Sequence, residues 1–456
     1  MAEREVDVVV LGAGPAGEVC AGRLGKAGLD VALVEHHLIG GECSYYACMP
    51  SKALLRPAQL LDEVERVPGA REAVTGSLDV EAALRRRDEV IHNRDDSSQL
   101  PWLEQRGVEF VRGLGTLEGE RRVSVGPDVL VARRAVVVAT GSAGVMPPID
   151  GLAEAKPWGN REATTAEAAP SRLLVLGGGA VGVELAQAWA TLGSSVALVE
   201  AADRVLPPEE AFASEQVTDG LEASGVEVRA GARADGASRG ESGQVTLRLA
   251  GGDELHGDEL LVAVGRRPRT DSIGLETIGI EPGGYLETDD QLRVDGRDWL
   301  YAVGDVNGRA LLTHMGKYQA RLAADAILGK EVEATAEDRG SPRVVFTEPQ
   351  VAAVGLTLAK AEEAGIDARA VDVETAGNAG ASFIGRNAPG TSRLVVDESR
   401  GVIVGATFVG PEVAEMLHAA TIAVAGEVPL ERLGHAIPTF PTRNEIWLYL
   451  LEEYGL

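Results

Sequence analysis

The chain has 456 residues, 45% of them hydrophobic, and carries 70 Asp and Glu against 43 Lys and Arg, a formal net charge of −27. That length predicts about three domains, and that charge argues against nucleic acid and anionic membrane surfaces, both polyanions. Three cysteines make no structural disulfide framework, Met1 to Glu5 lack the basic and apolar regions of a signal peptide, and no apolar run approaches the roughly 18 residues of a membrane span, so the expected compartment is a reducing cytoplasm.

In chain order, the apolar run Val6 to Leu11 reads as a buried parallel strand that passes straight into Gly12-Ala13-Gly14-Pro15-Ala16-Gly17. A helix through Ala27 and a second strand, Val31 to Glu35, follow. This is a dinucleotide fingerprint. Gly12 makes the turn, Gly14 lets the backbone approach a pyrophosphate, Gly17 allows close helix packing, and Glu35 can accept from a ribose hydroxyl.

Next comes Gly40-Gly41-Glu42-Cys43-Ser44-Tyr45-Tyr46-Ala47-Cys48-Met49-Pro50-Ser51-Lys52. Its two cysteines are either a redox pair or two unrelated buried thiols, and the redox pair is the reading favoured in a reducing compartment. Metal binding is disfavoured, because no second cysteine or histidine cluster completes a four-ligand site. In a regular helix, positions five apart sit roughly 8 Å apart along the axis and on different faces, so a bridge requires a distorted turn, and strained bridges are the easily reduced ones.

Residues 52 to 100 read as helical and charged, broken at Pro57, Pro68 and Gly69; short alternating strands follow from Val108 to Val131. The strand Ala135 to Ala139 enters Thr140-Gly141-Ser142, and Pro147-Pro148 with Gly151 predicts a boundary near residue 155. The first unit then recurs: 177 less 12 and 200 less 35 both give an offset of 165, so Gly177, Gly179, Gly182 and Glu200 repeat Gly12, Gly14, Gly17 and Glu35. Two fingerprints predict two dinucleotides with chemistry between them. Glu200 favours a free 2′-hydroxyl and so NADH, while Arg204 close by leaves NADPH open.

The strand Glu259 to Val264 ends in Gly265-Arg266-Arg267-Pro268, where chain direction is expected to change. The strand Leu300 to Val303 leads to Gly304-Asp305, and a helix begins near Thr313. From about Pro342, strand patterns (Arg343 to Phe346, Arg393 to Val396, Val402 to Phe408) mix with helices (Glu412 to Ala425, Asn444 to Tyr454), predicting an α+β domain.

These residues together resemble, over essentially the whole length, the FAD-dependent pyridine nucleotide-disulfide oxidoreductases, a family that includes dihydrolipoamide dehydrogenase, glutathione reductase and mercuric reductase. The matching motifs are Gly12 to Gly17, Cys43/Cys48 with Pro50-Ser51-Lys52, Ala139-Thr140-Gly141, Gly177 to Glu184, Ala263-Val264-Gly265-Arg266 and Ala302-Val303-Gly304-Asp305. The resemblance implies an α/β fold with two doubly wound Rossmann-like domains and a C-terminal α+β dimerisation domain that makes a homodimer. The implied segments are 1–155 and 271–340 for FAD, 156–270 for NAD(P)H and 341–456 for the interface.

It also implies site residues. FAD would be held by Gly12, Gly14, Pro15, Ala16, Gly17, Glu35, Gly41, Lys52, Gly115, Thr140, Gly141, Asp305 and Thr313, with Asp305 on the ribityl chain and Thr313 facing the flavin O2. NADH would be held by Gly177, Gly179, Val181, Gly182, Glu200, Gly265 and Arg266. Cys48 would be the cysteine nearer the flavin and Cys43 the one exchanging with substrate; Lys52 would pair with Glu184 beside the flavin N5. A helix beginning near Thr313 suits the negative charge that flavin reduction pushes toward O2, and Lys52 suits a Cys48 thiolate. The implied reaction carries electrons from NADH through FAD to the cysteine pair and on to a small-molecule electron acceptor.

The chain departs from the family where thiol-reducing members carry a His-Pro-Thr element and a following glutamate. Here the stretch is His435-Ala436-Ile437-Pro438-Thr439-Phe440-Pro441-Thr442-Arg443-Asn444-Glu445, with Ile437 before the proline and Thr442 in the glutamate position. Either His435 and Glu445 are displaced versions of that proton donor, or His435 is a loop residue and the acceptor needs no such acid, the reading favoured because a proton donor must sit within hydrogen-bond reach. No cysteine follows Cys48, which weakens metal-ion reduction, and the missing His-Glu pair together with Glu200 disfavours a glutathione-type substrate. Tyr45 and Tyr46 either pack against the flavin domain or line an aromatic pocket, so a diaphorase acting on quinones or other aromatic acceptors is the alternative enzyme. A redox-sensing flavoprotein dimer is the alternative of another class. Cys20 reads as a core residue, and His314 and His418 as structural, with a flavin-side contact open for His314.

Overall fold

The structure is a computed structural model that describes residues 3–386 and 388–456, the side chains of 338 and 339 aside. Met1 and Ala2, part of the stretch read as lacking a leader, lie outside the described residues. The chain forms two compact units. One comprises residues 1–50, 88–145 and 266–337, the other 51–87, 146–265 and 338–456.

The first unit is built on a seven-stranded sheet in the order Val108–Arg112, Val31–Glu35, Glu3–Leu11, Asp128–Val138, Arg122–Val125, Gly115–Gly119, with Leu300–Ala302 also paired to Asp128–Val138. The inner strands Glu3–Leu11 and Val31–Glu35 run parallel, and Val8, Val9 and Val10 are fully buried. Such continuous apolar runs are what a sheet covered on both faces requires. One face carries the Pro15–Lys26 helix and the Thr313–Ile327 helix, whose Ala320, Ala323 and Ala324 are fully buried beside Cys20 and Leu24. Small residues let these helices approach closely. Burial pushes the Cys20 thiol up to about 12, as an inert core cysteine requires.

The second unit holds a parallel sheet, Val226–Arg229, Ser195–Val199, Arg172–Leu176 and Glu259–Val262, and a three-stranded antiparallel sheet from Ala234 to Gly257. It also holds an antiparallel sheet in the order Arg343–Val345, Gln350–Gly355, Val402–Gly410, Thr391–Asp397, Ala368–Glu374. The segment 51–87 and the C-terminal part share a unit with the nucleotide-type sheet because one core runs through them: Leu54, Leu84, Trp189, Val345 and Val409 belong to a single buried cluster. The C-terminal sheet has a second core of its own around Phe408 and Trp447.

Three local expectations change. Pro57 does not break the helix, which runs Cys48–Arg66 through it. An interior proline costs about 3 kcal/mol; here Leu54 and Leu55 are buried, and Gln59 donates to the Phe346 carbonyl at 2.9 Å, which hold the helix in place. Arg266–Pro268 is not only a change of direction but a short strand, paired antiparallel with Ser142–Gly144. The expected Glu412 to Ala425 helix divides into a 3-10 turn, Val413–Met416, and a helix, Leu417–Ala425, the αL conformation of Glu412 standing before them. No helix among the described residues is long and apolar enough to cross a membrane.

Candidate functional sites

The loop Gly12 to Gly17 has the geometry its glycines predict. Gly12 has φ +101, and a Cβ there would lie 2.4 Å from the Ala139 carbonyl oxygen; a Cβ on Gly17 would lie 1.9 Å from the Gly12 carbonyl oxygen. Over Gly14, in contrast, nothing lies within 4 Å of where a Cβ would be, so backbone faces open space at the first turn of the Pro15–Lys26 helix. The Glu35 carboxylate accepts from the Ala13 N–H at 2.9 Å and the His37 N–H at 2.7 Å.

The second unit repeats this bond for bond. Gly177 has φ +110 with Ala263 in the place of Ala139, Gly182 presses on the Gly177 carbonyl, and Gly179 is open. Glu200 accepts from the Gly178 N–H at 2.5 Å and the Ala202 N–H at 2.7 Å. In each unit two backbone donors fix the carboxylate, which retains lone pairs for ribose hydroxyls. Arg204 is turned away from such duty: its Nη2 donates to the carbonyls of Pro207 and Glu209, both at 3.0 Å. Val181 is partly exposed, and Gly265 has φ +136 with open space beside it. Two dinucleotides fit these residues, one in each unit.

The cysteine turn is laid on the first of these loops. Gly40 donates to the Ala13 carbonyl at 2.7 Å, and a Cβ on Gly41, at φ +60, would meet Gly14 Cα at 2.8 Å. The helix Gly41–Tyr45 stops at Tyr46, whose φ of −137 leaves helical space, and a new helix starts at Cys48. This break is the distorted turn that the spacing of the cysteines demands. The two side chains are thiols hydrogen-bonded to each other. That bond, then burial, then the charge of Cys48 hold the Cys43 thiol above the usual cysteine range, against smaller opposing pulls from the Thr313 hydroxyl and the Lys317 ammonium. Cys48 Sγ lies 3.4 Å from Thr313 Oγ1, at the first residue of the Thr313–Ile327 helix.

Other predicted residues lie in the same unit. Thr140 donates from Oγ1 to the Arg269 carbonyl at 2.8 Å, and Gly141, at φ +72, is open. Gly115 starts a strand and packs on Leu11 and Val34, with no room for a Cβ. Asp305 accepts from Ser142 Oγ. Arg266 falls in the first unit and donates to Glu42 at 2.6 Å, where the short strand Arg266–Pro268 pairs with Ser142–Gly144. Tyr45 is buried, and the Tyr46 ring stacks on His37 with their Oη and Nε2 atoms 2.9 Å apart, so both tyrosines have packing roles.

In the second unit Lys52 Nζ donates to Glu184 Oε2 at 2.7 Å, the Phe346 N–H donates to Glu184 Oε1 at 2.9 Å, and Lys52 sits 4.7 Å above the Phe346 ring. Within the chain His435 and Glu445 do not meet: His435 is exposed, while Glu445 is buried with Oε2 unpartnered among the described residues.

Sequence reasoning missed four participants. Glu42, Arg269 and Phe346 are distant in the chain from what they touch. Glu18, in the first turn of its helix, is a carboxyl that burial raises to about 7 against the pull of Lys317. A glutamate in the first turn of a helix is an ordinary feature, and nothing in the spacing signals its burial.

A family model described as pyridine nucleotide-disulphide oxidoreductase matches residues 6–326, and one described as the dimerisation domain of that family matches residues 341–450. The chain is 32% identical over 452 residues to a dihydrolipoyl dehydrogenase of Haloferax volcanii, across 96% of this chain and 94% of that protein. It is 33% identical over 453 residues to a dihydrolipoyl dehydrogenase of Chlorobaculum tepidum, across 97% and 95%. It is similar in structure to the HOCl-induced flavoprotein disulfide reductase RclA from Escherichia coli, with TM-score 0.86, 27% identity and coverage of 98% and 99%. LpdA from Mycobacterium tuberculosis matches with TM-score 0.86, 25% identity and full coverage of both chains.

Proposed function

Because this chain belongs to the pyridine nucleotide-disulphide oxidoreductases, and is thereby an FAD-dependent NAD(P)H disulfide oxidoreductase, we propose that it reduces a small disulfide at Cys43 at the expense of NADH. The observation that carries this reading is the hydrogen-bonded pair Cys43/Cys48, broken out of helical geometry on top of the Gly14 loop and touched by Thr313. When bound, the two cofactors supply hydride transfer from nicotinamide to flavin and a pair of electrons for the cysteines. The first unit's loop glycines and Glu35 bind and orient one dinucleotide; Gly177 to Gly182 and Glu200 do the same for the other.

The rest is the work of the thiols. Cys43 loses its proton and attacks one sulfur of the acceptor, whose S–S bond breaks; a mixed disulfide forms, and the first half of the acceptor leaves as a thiol carrying that proton. Cys48 then loses its own proton, attacks Cys43 Sγ and breaks the mixed disulfide, and the second half leaves as a thiol carrying that proton. One S–S bond forms on the protein, one breaks in the acceptor, and the two thiol protons leave on the products. Thr313 steadies the sulfur it touches. Lys52, with Glu184 as its counter-ion, is the cation that the resemblance assigns to the flavin.

NADH is the preferred donor, since Glu200 would accept from a free 2′-hydroxyl and Arg204 is held by two carbonyls. The match to a dimerisation domain supports a homodimer; a cytoplasmic setting rests on the reduced cysteines the chemistry needs. The test is anaerobic titration with NADH followed by an acceptor screen on the parent enzyme and Cys43→Ser. Flavin bleaching with two new thiols, and loss of disulfide reduction in the variant, are expected. If no thiols appear, the cysteines are not in the path.

A further inference from the structure

Two arginines and two carboxylates of the first unit close on Ser142. Glu42, the residue before Cys43, accepts from Arg266 Nη2 at 2.6 Å and from Arg269 Nη2 at 3.1 Å. Arg266 also donates from Nε to Ser142 Oγ at 2.6 Å and from Nη2 to the Ser142 carbonyl at 3.0 Å, which Arg269 Nε reaches at 2.9 Å. Ser142 Oγ donates in turn to Asp305, whose Oδ2 is 3.7 Å from Arg266 Nε.

The side chains of Glu42, Arg266 and Asp305 are 18%, 21% and 25% exposed, and Ser142 is buried. With Arg269 37% exposed, two positive and two negative charges balance in a partly buried cluster. The charge-assisted, multiply bonded geometry also fixes orientation. This matters at Glu42, because the helix Gly41–Tyr45 is five residues long, starts from the left-handed Gly40 and has no side-chain cap. An isolated helix of one turn does not hold itself. It is anchored from outside, by the Gly41 contact with Gly14 and by these arginines.

We propose that Arg266 is a positioning residue of the first unit: through Glu42 it holds the turn that carries Cys43, and through Ser142 it holds Asp305. It then governs flavin retention and cysteine reactivity, and does not bind the nicotinamide nucleotide. This rests on the reading of Cys43 as the exchanging thiol and of Asp305 as a flavin residue.

The experiment compares the parent holoenzyme with Arg266→Met and Glu42→Gln. Three quantities are read: the rate of flavin loss into FAD-free buffer, the rate of iodoacetamide labelling at Cys43 after anaerobic NADH reduction, and the KM for NADH. Losing one charged hydrogen bond changes a rate or equilibrium by about ten-fold. Both variants are expected to lose flavin about that much faster and to shift Cys43 labelling in the same sense, with the KM for NADH within about two-fold of the parent. An Arg266→Met enzyme with parental flavin retention and labelling but a KM raised about ten-fold makes Arg266 a nucleotide ligand and overturns the proposal. If that variant does not fold, Glu42→Gln decides from the other end of the clamp, and unchanged flavin loss and labelling there overturn it equally. Failure of the parent to label at Cys43 after reduction refutes the thiol reading instead, while the contrast between flavin loss and KM still decides the role of Arg266.

Discussion

Lys52 and Glu184, 132 residues apart in the chain, meet at 2.7 Å, with Glu184 almost wholly buried and also bonded to the Phe346 N–H. The pair is lopsided, because Lys52 is 35% exposed against 6% for Glu184. Removing the lysine therefore strands a carboxylate that cannot reach water, whereas neutralising the acid leaves a lysine that can. Lys52→Met is expected to cost about 3 kcal/mol and Glu184→Gln about 1 kcal/mol, with the double variant far less destabilised than the sum. Urea unfolding of the four proteins gives the coupling; simple additivity refutes the asymmetry.

Thr313 should matter to the sulfurs more than to the fold. Its hydroxyl lies 3.4 Å from Cys48 Sγ and pulls the Cys43 thiol downward. Thr313→Val keeps the shape and removes the hydrogen bond, worth about 1 kcal/mol, so labelling of the reduced enzyme at neutral pH should slow roughly five-fold. The pH profile of labelling moves to higher pH; an unmoved profile excludes the contact.

Glu18 links stability to pH. Burial raises its carboxyl from 4.5 to about 7, Lys317 opposing. A group raised in the folded state contributes stability that is fully present below its unfolded value near 4.5 and is lost as pH rises through about 7. The loss amounts to at most about 3 kcal/mol. Glu18→Gln, which cannot ionise, should match the parent near pH 4.5 and be more stable at pH 8. Thermal melts at the two pH values check this, and a constant difference between the proteins counts against it.

Discrimination between nicotinamide nucleotides should lie in Glu200. Its carboxylate is held by the Gly178 and Ala202 N–H groups, and Arg204 is engaged by the carbonyls of Pro207 and Glu209. A 2′-phosphate would meet this carboxylate, with Arg204 engaged elsewhere. The enzyme should favour NADH over NADPH by about ten-fold or more in kcat/KM, and Glu200→Ala should narrow the gap chiefly by improving NADPH. Equal use of both nucleotides by the parent protein would contradict this.

The primary sequence by itself determined the backbone geometry of the two glycine loops and of the acids that end their strands. Gly12 and Gly177 need positive φ, Gly17 and Gly182 have no room for a Cβ, and Glu35 and Glu200 end their strands; such constraints fall within about 30 residues and leave a readable spacing. The break between Cys43 and Cys48 was legible for the same reason, since five helical positions cannot bring two sulfurs together. The family resemblance then named Lys52 and Glu184, which no local rule connects.

Tertiary structure alone decided what depends on burial and on chain segments far apart. Pro57 stays helical because of what Leu54 and Gln59 pack against. Arg266 reaches Glu42, 224 positions upstream, because the strand Arg266–Pro268 pairs with Ser142–Gly144. Glu18 is an ordinary helix acid until the unit buries it. A long-range ion pair has no spacing and a desolvated carboxyl has no motif, because both arise from the arrangement of elements and from the exclusion of water.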